Sequence, residues 1–369
     1  MKKIKIKLLK SSYDILVGSS IYLEIVEVLK KANINKNLFI IIDKNVLRYW
    51  EEYIKKPFAD YKNKIEYYIL KPGEKSKSYL ELNKIYSFLL EKNFGRDTLV
   101  IAIGGGVTGD LSGFAASTFM RGVQLVHVPT TLLAAVDSSI GGKTGINFNN
   151  KKNMVGTFYQ PKLVLIDTDF ISSLPKIEIT SGIGEIIKYT FLSTPDFFEY
   201  VNENIEKIYL YEKKVIEEVI LKSAQIKSAV VSQDEKESGL RKILNFGHTF
   251  AHAIESDLNF KIKHGEAVTA GIISALYLSK KMGILKKNKM RNYLSLPLKI
   301  NLPKKIAKLN SRNMIDIMRV DKKSRDGKIN FVLLSDLGNI LVDIQTDKKD
   351  IIYAIERMRI IINNSSLHH

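Results

Sequence analysis

The feature that most constrains the fold is a set of short apolar runs in the first half of the chain, separated by helical patterns. Runs of this length with few polar residues are typical of parallel strands that helices cover on both faces. Strands that alternate with helices build an α/β layered domain around a mostly parallel sheet. The runs are residues 38–42, which end at Asp43, residues 98–103, which end at Gly104, residues 123–128, which end at Pro129, and residues 163–166, which end at Asp167.

The second half changes character near Pro175, after which helical periodicity dominates. We therefore expect an α/β nucleotide-binding domain at residues 1–174 and a mostly α-helical domain at residues 175–369. The last residues, SSLHH, are treated as a tag or tail. The predicted elements of the second half are helices at 212–230 and 265–282, strands at 328–334 and 340–344, and a last helix at 348–362.

Composition excludes several classes of protein. The chain is 45 % apolar and 26 % charged, which is ordinary for a globular protein, and it has no cysteine for disulfides or thiolate ligands. The sequence contains no uncharged apolar run of about 18 residues, so it predicts no membrane helix. The basic start, MKKIKIKLLK, alternates apolar residues with lysines, which is typical of a strand rather than a signal peptide. We expect a cytoplasmic enzyme. The net charge of +18 comes from scattered lysines, which favours an anionic small substrate over nucleic acid.

A glycine-rich turn follows the second apolar run directly. Gly104, Gly106 and Gly109 satisfy G-x-G-x-x-G between a strand and a helix, the context in which backbone N–H groups bind a pyrophosphate. Tight strand-to-helix packing explains the same pattern. The acidic residue usually found about 20 residues later is missing, so Asp43 is the candidate for a ribose hydroxyl.

Two further polar segments flank this turn. In PGEKSKS, Glu74 and Lys77 either bind an adenosine or cap the next helix, and capping is the safer interpretation. Residues 129–157 are too polar for core and form either a surface loop or a binding wall. The groups suited to an anionic ligand are Asp137, Lys143, Lys152 and Asn153, with Arg121 just ahead of them.

Three of the four interior histidines lie between Asn245 and Val268. His248 and His252 are four apart on one helix face and resemble a ligand pair, while His264 competes for that role. Glu185, in SGIGEIIKYTF, is a candidate third ligand and shares a helix face with Lys188. A cluster of core and helix-capping histidines is the alternative. Lys227, Arg241 and Asn245 precede the cluster, and the alternative for Lys227 is that it is one solvated lysine among many.

Taken together, these motifs resemble the dehydroquinate synthase family of the sugar-phosphate cyclase superfamily over nearly the whole chain. The motifs are PGEKSKS, GGGVTGDLSGFAASTFMRG, VPTTLLAAVDSSIGGKTGIN, KNMVGTFYQP, SGIGEIIKY, LNFGHTFAHAIE, HGEAV and DKKSRDGK. The resemblance implies an NAD-binding α/β domain, a helical domain that binds zinc or cobalt, and a homodimer.

The resemblance also implies residue roles. It makes Glu185, His248 and His264 the metal ligands, and moves His252 to the substrate. The implied substrate residues are Arg121, Asp137, Lys143, Lys152, Asn153, Lys188, Lys227, Arg241, Asn245 and His252, with Lys322 or Lys323. The implied NAD residues are Asp43, Glu74, Lys77, Gly105, Gly106, Val107, Thr108, Gly109, Asp110, Thr130, Thr131, Asp137, Lys143, Lys152, Phe170, Ile171, Ser172 and Ser173. FISSLP departs from the family's usual Lys-Thr-Leu-Pro ending, which weakens the last four.

The implied reaction converts 3-deoxy-D-arabino-heptulosonate 7-phosphate into 3-dehydroquinate and phosphate, in the shikimate pathway to chorismate and the aromatic amino acids. It proceeds by transient oxidation, phosphate elimination, re-reduction, ring opening and aldol closure, so NAD is regenerated in each cycle. Three alternatives stay open: another cyclase, a metal-dependent polyol-phosphate dehydrogenase and a basic nucleic-acid-binding protein. Arg241, Asn245 and His252 argue against a cyclase whose substrate lacks a carboxylate.

Overall fold

The computed structural model describes residues 1–9, 11–34, 36–149, 151–320 and 328–365. Its contacts divide the chain into two compact units: unit 1 is Met1–Leu174 with Ile216–Glu235, and unit 2 is Pro175–Val215 with the described part of Lys236–His369. The predicted domains share the boundary after Leu174, but the contacts group residues 216–235 with the N-terminal part. The segment DKKSRDG, with Lys322 and Lys323, lies outside the described residues.

Unit 1 is built on a seven-stranded sheet that is parallel except for its first pair of strands. The strand order is β1-β2-β9-β6-β5-β3-β4. The expected mostly parallel α/β architecture is confirmed. The strands of unit 1 are β1 (Lys2–Ile6), β2 (Tyr13–Gly18), β3 (Asn37–Asp43), β4 (Ile65–Leu70), β5 (Thr98–Gly104), β6 (Gln124–Pro129), β7 (Lys143–Phe148), β8 (Lys151–Phe158) and β9 (Leu163–Asp167).

Both faces of the sheet are buried. Successive side chains of a strand point to opposite sides, so they enter different apolar clusters. In β3, Ile40 and Ile42 join one apolar cluster, while Phe39 and Ile41 join the other. Neighbouring strands also end together: Gly104 pairs with Pro129, and Asp43 pairs with Leu70. The carboxyl ends therefore form one edge, the position at which α/β sheets bind ligands.

Helices and a hairpin complete unit 1. The helices are α1 (Ile25–Lys31), α2 (Lys44–Lys55), α3 (Tyr79–Glu91), α4 (Gly106–Thr118) and the part of α7 (Lys213–Gln233) from Ile216 onward. β7 and β8 pair as a separate antiparallel hairpin, preceded by a short π-helix at Ala134–Ser138. The polar segment 129–157 is thus largely ordered as this π-helix and hairpin rather than as a long loop.

Unit 2 is mostly helical, as expected. The predicted elements of the second half are confirmed, with bounds that differ by a few residues. Among the described residues, no helix is both long and apolar enough to span a membrane. The elements of unit 2 are α5 (Lys176–Phe191), α6 (Pro195–Tyr209), α8 (His248–Asp257), α9 (His264–Lys281), α10 (Met290–Ser295), α11 (Ser311–Val320), β10 (Phe331–Asp336), β11 (Asn339–Ile344) and α12 (Lys348–Ser365).

Candidate nucleotide and metal sites

The glycine turn leads from β5 straight into α4. Gly105 precedes the first helical residue, and no side chain caps the helix there. A β-carbon on Gly104 would stand 2.5 Å from the Thr108 hydroxyl oxygen, so a larger residue would displace the turn. The first N–H groups of a helix have no partner within the helix and attract anions. This end of α4 therefore fits the phosphates of a dinucleotide.

Thr130 lies beside the same turn. Its backbone N–H donates to the Gly104 carbonyl at 3.0 Å. Its hydroxyl is buried, and no group in the described part of the chain forms a hydrogen bond with it. A buried hydroxyl without a partner is costly, so a hydroxyl or phosphate oxygen of a ligand would improve this position. The site thus fits NAD at a residue that the sequence analysis singled out.

Lys77 is buried at the turn, with 5 % of its surface exposed. Its ammonium contacts the Asp110 carboxylate of α4 and the Asn153 side-chain oxygen of β8. Burial raises the pKa of Asp110 against the opposing charge of Lys77. The expectation that Glu74 or Lys77 caps the next helix is wrong, because the Ser78 hydroxyl accepts the capping bond from Glu81 N–H at 3.3 Å.

Asp43, Phe170 and Ser173, which are also predicted to bind the nucleotide, already contact neighbouring residues of unit 1. The Asp43 carboxylate accepts a hydrogen bond from Asn45 N–H at 2.8 Å and so caps α2. Phe170 packs edge-on against Trp50, with ring centroids 5.2 Å apart, and Trp50 donates to the Ser173 hydroxyl at 2.9 Å. Because Phe170 and Ile171 are both 1 % exposed, any contact they make with a cofactor would come from their backbone.

Lys227 and Asp137 meet within unit 1. The Lys227 ammonium lies 2.8 Å from the Asp137 carboxylate and donates to the Asp137 carbonyl at 2.8 Å. Lys227 is 6 % exposed, so its interpretation as a solvated lysine is wrong. Arg121 follows α4 with φ of 65° and is exposed, as is Lys143, while Lys152 is half-buried. Lys143 and Lys152 add positive charge to the β7–β8 hairpin.

Glu185, His248 and His264 converge in unit 2, where their candidate ligand atoms all lie within 4.8 Å of one another. The Glu185 carboxylate is 3.5 Å from His248 Nε2 and 3.2 Å from His264 Nε2. These are the three residues that the resemblance implies. His252, the bare-spacing candidate, lies outside this group, with its ring centroid 5.6 Å from that of His248.

The charge states of Glu185 and His248 suit a divalent cation. Burial would raise the pKa of Glu185, but the Lys188 charge and the two imidazoles outweigh it and hold that pKa well below its usual range. Burial lowers the pKa of His248 to about 4. The pKa of His264 rises to about 10, because contacts with Glu185 and Glu255 outweigh its burial. A charged carboxylate and a neutral imidazole are the forms that bind metals, so a metal ion would displace the proton of His264 on binding.

Neither oxygen of Glu185 has a hydrogen bond of good geometry from any described residue, although Lys188 contacts the carboxylate. A fully buried carboxylate that faces two imidazoles in this way has the donor set of a zinc-type site. The observed cluster therefore fits a metal ion.

Glycines bring two helices of this cluster, α8 and α9, together. Gly247 has φ of 79°, a conformation that favours glycine, and it immediately precedes His248. A β-carbon on Gly271 of α9 would stand 2.2 Å from the Gly247 carbonyl oxygen. Such close contact between the backbones requires glycine at this position of α9. Because α8 begins at His248, the contact brings the His248 end of α8 against α9.

One further residue of unit 2 contacts the cluster. Glu255, which the sequence analysis missed, places its carboxylate 3.5 Å from His264 Nδ1. Its only signal in the sequence is its position three residues after His252, on the helix that begins at His248. Among the predicted substrate residues, Arg241 is 1 % exposed, and Asn245 donates to the Glu237 carboxylate at 2.6 Å.

Solved structures share this fold across almost the entire chain. A 2-deoxy-scyllo-inosose synthase complexed with carbaglucose-6-phosphate, NAD+ and Co2+ has a TM-score of 0.87 and 26 % identity, covering 96 % of this chain and 99 % of that one. A 2-epi-5-epi-valiolone synthase from Streptomyces hygroscopicus with NAD+ and Zn2+ has a TM-score of 0.86 and 24 % identity, covering 95 % and 98 %. The fold and its two sites define the class of sugar-phosphate cyclases.

Sequence relatives define the family within that class. The 3-dehydroquinate synthase N-terminal family model matches residues 67–181, and the C-terminal one matches residues 182–324. A 3-dehydroquinate synthase from Pelagibacter ubique is 43 % identical, covering 95 % of this chain and 96 % of the relative. One from Alkaliphilus metalliredigens is 41 % identical, covering 92 % and 94 %. The chain belongs to the 3-dehydroquinate synthase family.

Proposed function

We propose that this protein is a phosphate-eliminating lyase that converts 3-deoxy-D-arabino-heptulosonate 7-phosphate into 3-dehydroquinate and phosphate. The observation that carries the proposal is the Glu185, His248 and His264 cluster, found in a chain of the 3-dehydroquinate synthase family. The cofactors are NAD and one divalent metal ion. The relatives' name and the bound NAD+ and Co2+ or Zn2+ in the similar structures support this assignment.

NAD would be held by unit 1. The uncapped start of α4 and the hydroxyl of Thr130 would face its phosphates, and Asp43 would face a ribose. Lys77 and Asp110 would hold the Glu74 segment beside the cofactor, because their buried ion pair joins that segment to α4. The metal would be held in unit 2 by Glu185, His248 and His264.

The anionic substrate would use the remaining predicted residues. Arg121 and Lys152 carry positive charge suited to the phosphate, and the Lys227–Asp137 pair is preformed. In unit 2, Arg241, Asn245 and His252 are the candidates for the substrate carboxylate. The full set also includes Lys143, Asn153 and Lys188.

When bound, NAD would supply reversible hydride transfer, and the metal would supply a Lewis acid that acidifies a coordinated hydroxyl. The side chains themselves bind and orient the substrate. Lysine and arginine charges would stabilise the phosphate as it leaves. Electrostatic stabilisation of this kind is usually the largest single contribution to an enzyme's rate enhancement. The departing phosphate's own oxygen would take the proton in the elimination, so the chain needs no separate base for that step.

The finer properties are proposals as well. Zinc or cobalt is the resident metal, because an N2O donor set suits both ions. The protein acts in the cytoplasm as a homodimer, as the family resemblance implies.

Phosphate release and NADH absorbance measured in one cuvette would test this function. With the heptulosonate phosphate and a trace of NAD, many equivalents of phosphate should appear while NADH stays flat. A chelator should stop the reaction, and zinc or cobalt should restore it. Arg121→Ala should slow it, whereas Arg96→Ala, which alters an exposed arginine outside the site, should not. NADH that rises in proportion to product would contradict the proposal and favour a dehydrogenase.

A further inference from the structure

Asn147 lies at an irregularity of the β7–β8 hairpin. The strand pairing shifts register between Ile146 and Phe148. The Asn147 side-chain oxygen accepts a hydrogen bond from the backbone N–H of Asn153 at 3.0 Å. Asn153 has φ of 56°, in the left-handed region. The Asn147 amide therefore holds a backbone conformation that the bulged ladder leaves without its regular partner.

The same residue holds a second segment. Its side-chain nitrogen donates to the Glu74 carboxylate at 2.8 Å. Its backbone N–H donates to the Lys77 carbonyl at 2.9 Å. Asn147 is thus bonded on one side to the Glu74–Lys77 segment and on the other to the β8 strand that carries Lys152 and Asn153.

Lys77 closes the circuit. Its buried ammonium contacts both Asn153 and Asp110. Glu74, Asn147, Asn153 and Lys77 therefore form a ring of contacts, with Asp110 attached through the ammonium. Polar networks of this kind respond as a unit, since displacing one member leaves others without partners.

We propose that Asn147 is a positioning residue that couples binding of the dinucleotide to binding of the phosphate-bearing substrate. This inference rests on the proposed function, which gives Glu74, Lys77 and Asp110 to NAD, and Asn153 to the substrate. A ligand that orders the Glu74–Lys77 segment orders the hairpin through Asn147, so the second ligand loses less entropy on binding. The coupling is reciprocal by thermodynamic necessity.

The test measures the Kd of NAD by titration calorimetry, without and with a saturating phosphonate analogue of the substrate that cannot lose its leaving group. In the unaltered protein the analogue should tighten NAD by at least about fivefold, the lower end of typical coupling. In Asn147→Ala this ratio should fall to within about twofold of one. Asn149→Gly is the control, because Asn149 is exposed in the same hairpin and its φ of 47° suits glycine.

Reversing the direction of the Asn147–Glu74 hydrogen bond tests the coupling separately from effects on overall stability. Asn147→Asp keeps the acceptor for Asn153 N–H but places a carboxylate against Glu74, so the ratio should fall. Adding Glu74→Gln supplies a donor on the opposite side, and the ratio should recover. A structural role alone would lower the thermal unfolding midpoint in Asn147→Ala while the ratio stayed unchanged, and that result would overturn the inference.

Two failures are distinguishable. If the unaltered protein binds NAD and the analogue with a ratio near one, there is no coupling and the inference is wrong while the proposed function stands. If the unaltered protein binds neither ligand, the proposed function is wrong, and the inference that rests on it goes with it.

Discussion

Gly265 lies against the backbone of Ser181, so that a β-carbon on residue 265 would stand 1.9 Å from the Ser181 carbonyl oxygen. The contact is mutual, because a β-carbon on Gly184 would stand 2.2 Å from the Gly265 carbonyl oxygen. Glu185 and His264 are the chain neighbours of these two glycines. The close approach of α5 and α9 therefore sets the distance between two of the candidate metal ligands.

Gly265→Ala should weaken metal binding. The added methyl group meets backbone, which cannot rotate away, so α5 and α9 must separate and carry Glu185 away from His264. Overpacking of this kind costs about 1–3 kcal/mol. We expect a lower urea midpoint and a weaker zinc Kd measured with a competing chelator.

Gly239→Ala provides the matched control, since its β-carbon would meet nothing within 4 Å. It should leave the zinc Kd unchanged. Full zinc affinity in Gly265→Ala would show that the glycine contact does not set the ligand spacing.

The two histidines of α8 should separate by metal content. His248→Ala should lose the metal, because His248 is within the cluster, whereas His252→Ala should keep it and lose activity. Elemental analysis of the purified variants measures the first effect, and phosphate release measures the second. Metal loss from both variants would restore the pair predicted from helical spacing.

The sequence predicts the layered fold well because strand signals are local. The run at residues 38–42 appears as β3, and the run at residues 98–103 appears as β5. Their length, their unbroken apolar composition and the helical patterns between them suffice to identify them. By contrast, residues 129–157 form a π-helix and a hairpin that no hydrophobic periodicity in the sequence predicts.

Spacing fails for the metal cluster for a physical reason. A separation of four residues reports neighbours on one helix, so it pairs His248 with His252. Glu185 and His264 come from other helices, whose approach depends on glycines that look unremarkable in the sequence. The family resemblance supplies what spacing cannot. It gives no role to Asn147, whose partners are visible only in the folded structure.

Lys188→Met should destabilise the metal-free protein far more than the loaded one. Lys188 is 2 % exposed and contacts the buried Glu185 carboxylate. Removing one partner of a buried ion pair leaves an uncompensated charge, at a cost of about 3–5 kcal/mol. A divalent ion would neutralise that carboxylate and recover much of the loss.

Urea unfolding of chelated and zinc-loaded samples measures both effects. Lys207→Met, which alters an exposed lysine of α6, is the control and should change neither sample. Equal destabilisation of both Lys188→Met samples would mean that the metal does not bind at Glu185.

The last prediction concerns acid stability and His127, which lies on β6 with 6 % of its surface exposed. Burial lowers its pKa from 6.5 to about 4. The native state therefore keeps this imidazole neutral, while the unfolded chain takes up a proton below about pH 6.5. The stabilisation due to this difference is complete above pH 6.5 and is lost as the pH falls toward 4, by about 3 kcal/mol in all. Below pH 4 both states are protonated, and no further loss arises from His127.

His127→Gln should flatten this part of the pH profile, because glutamine has no proton to gain. Trp50 is the only tryptophan in the chain and packs within unit 1, so its fluorescence reports unfolding around this sheet. We expect the free-energy difference between the unaltered chain and the variant, both metal-free, to shrink as the pH falls from 6.5 to 4. Carboxylates titrate in both proteins and cancel in that difference. Parallel profiles over this interval would show that His127 takes up its proton over the same pH range in the folded protein as in the unfolded chain.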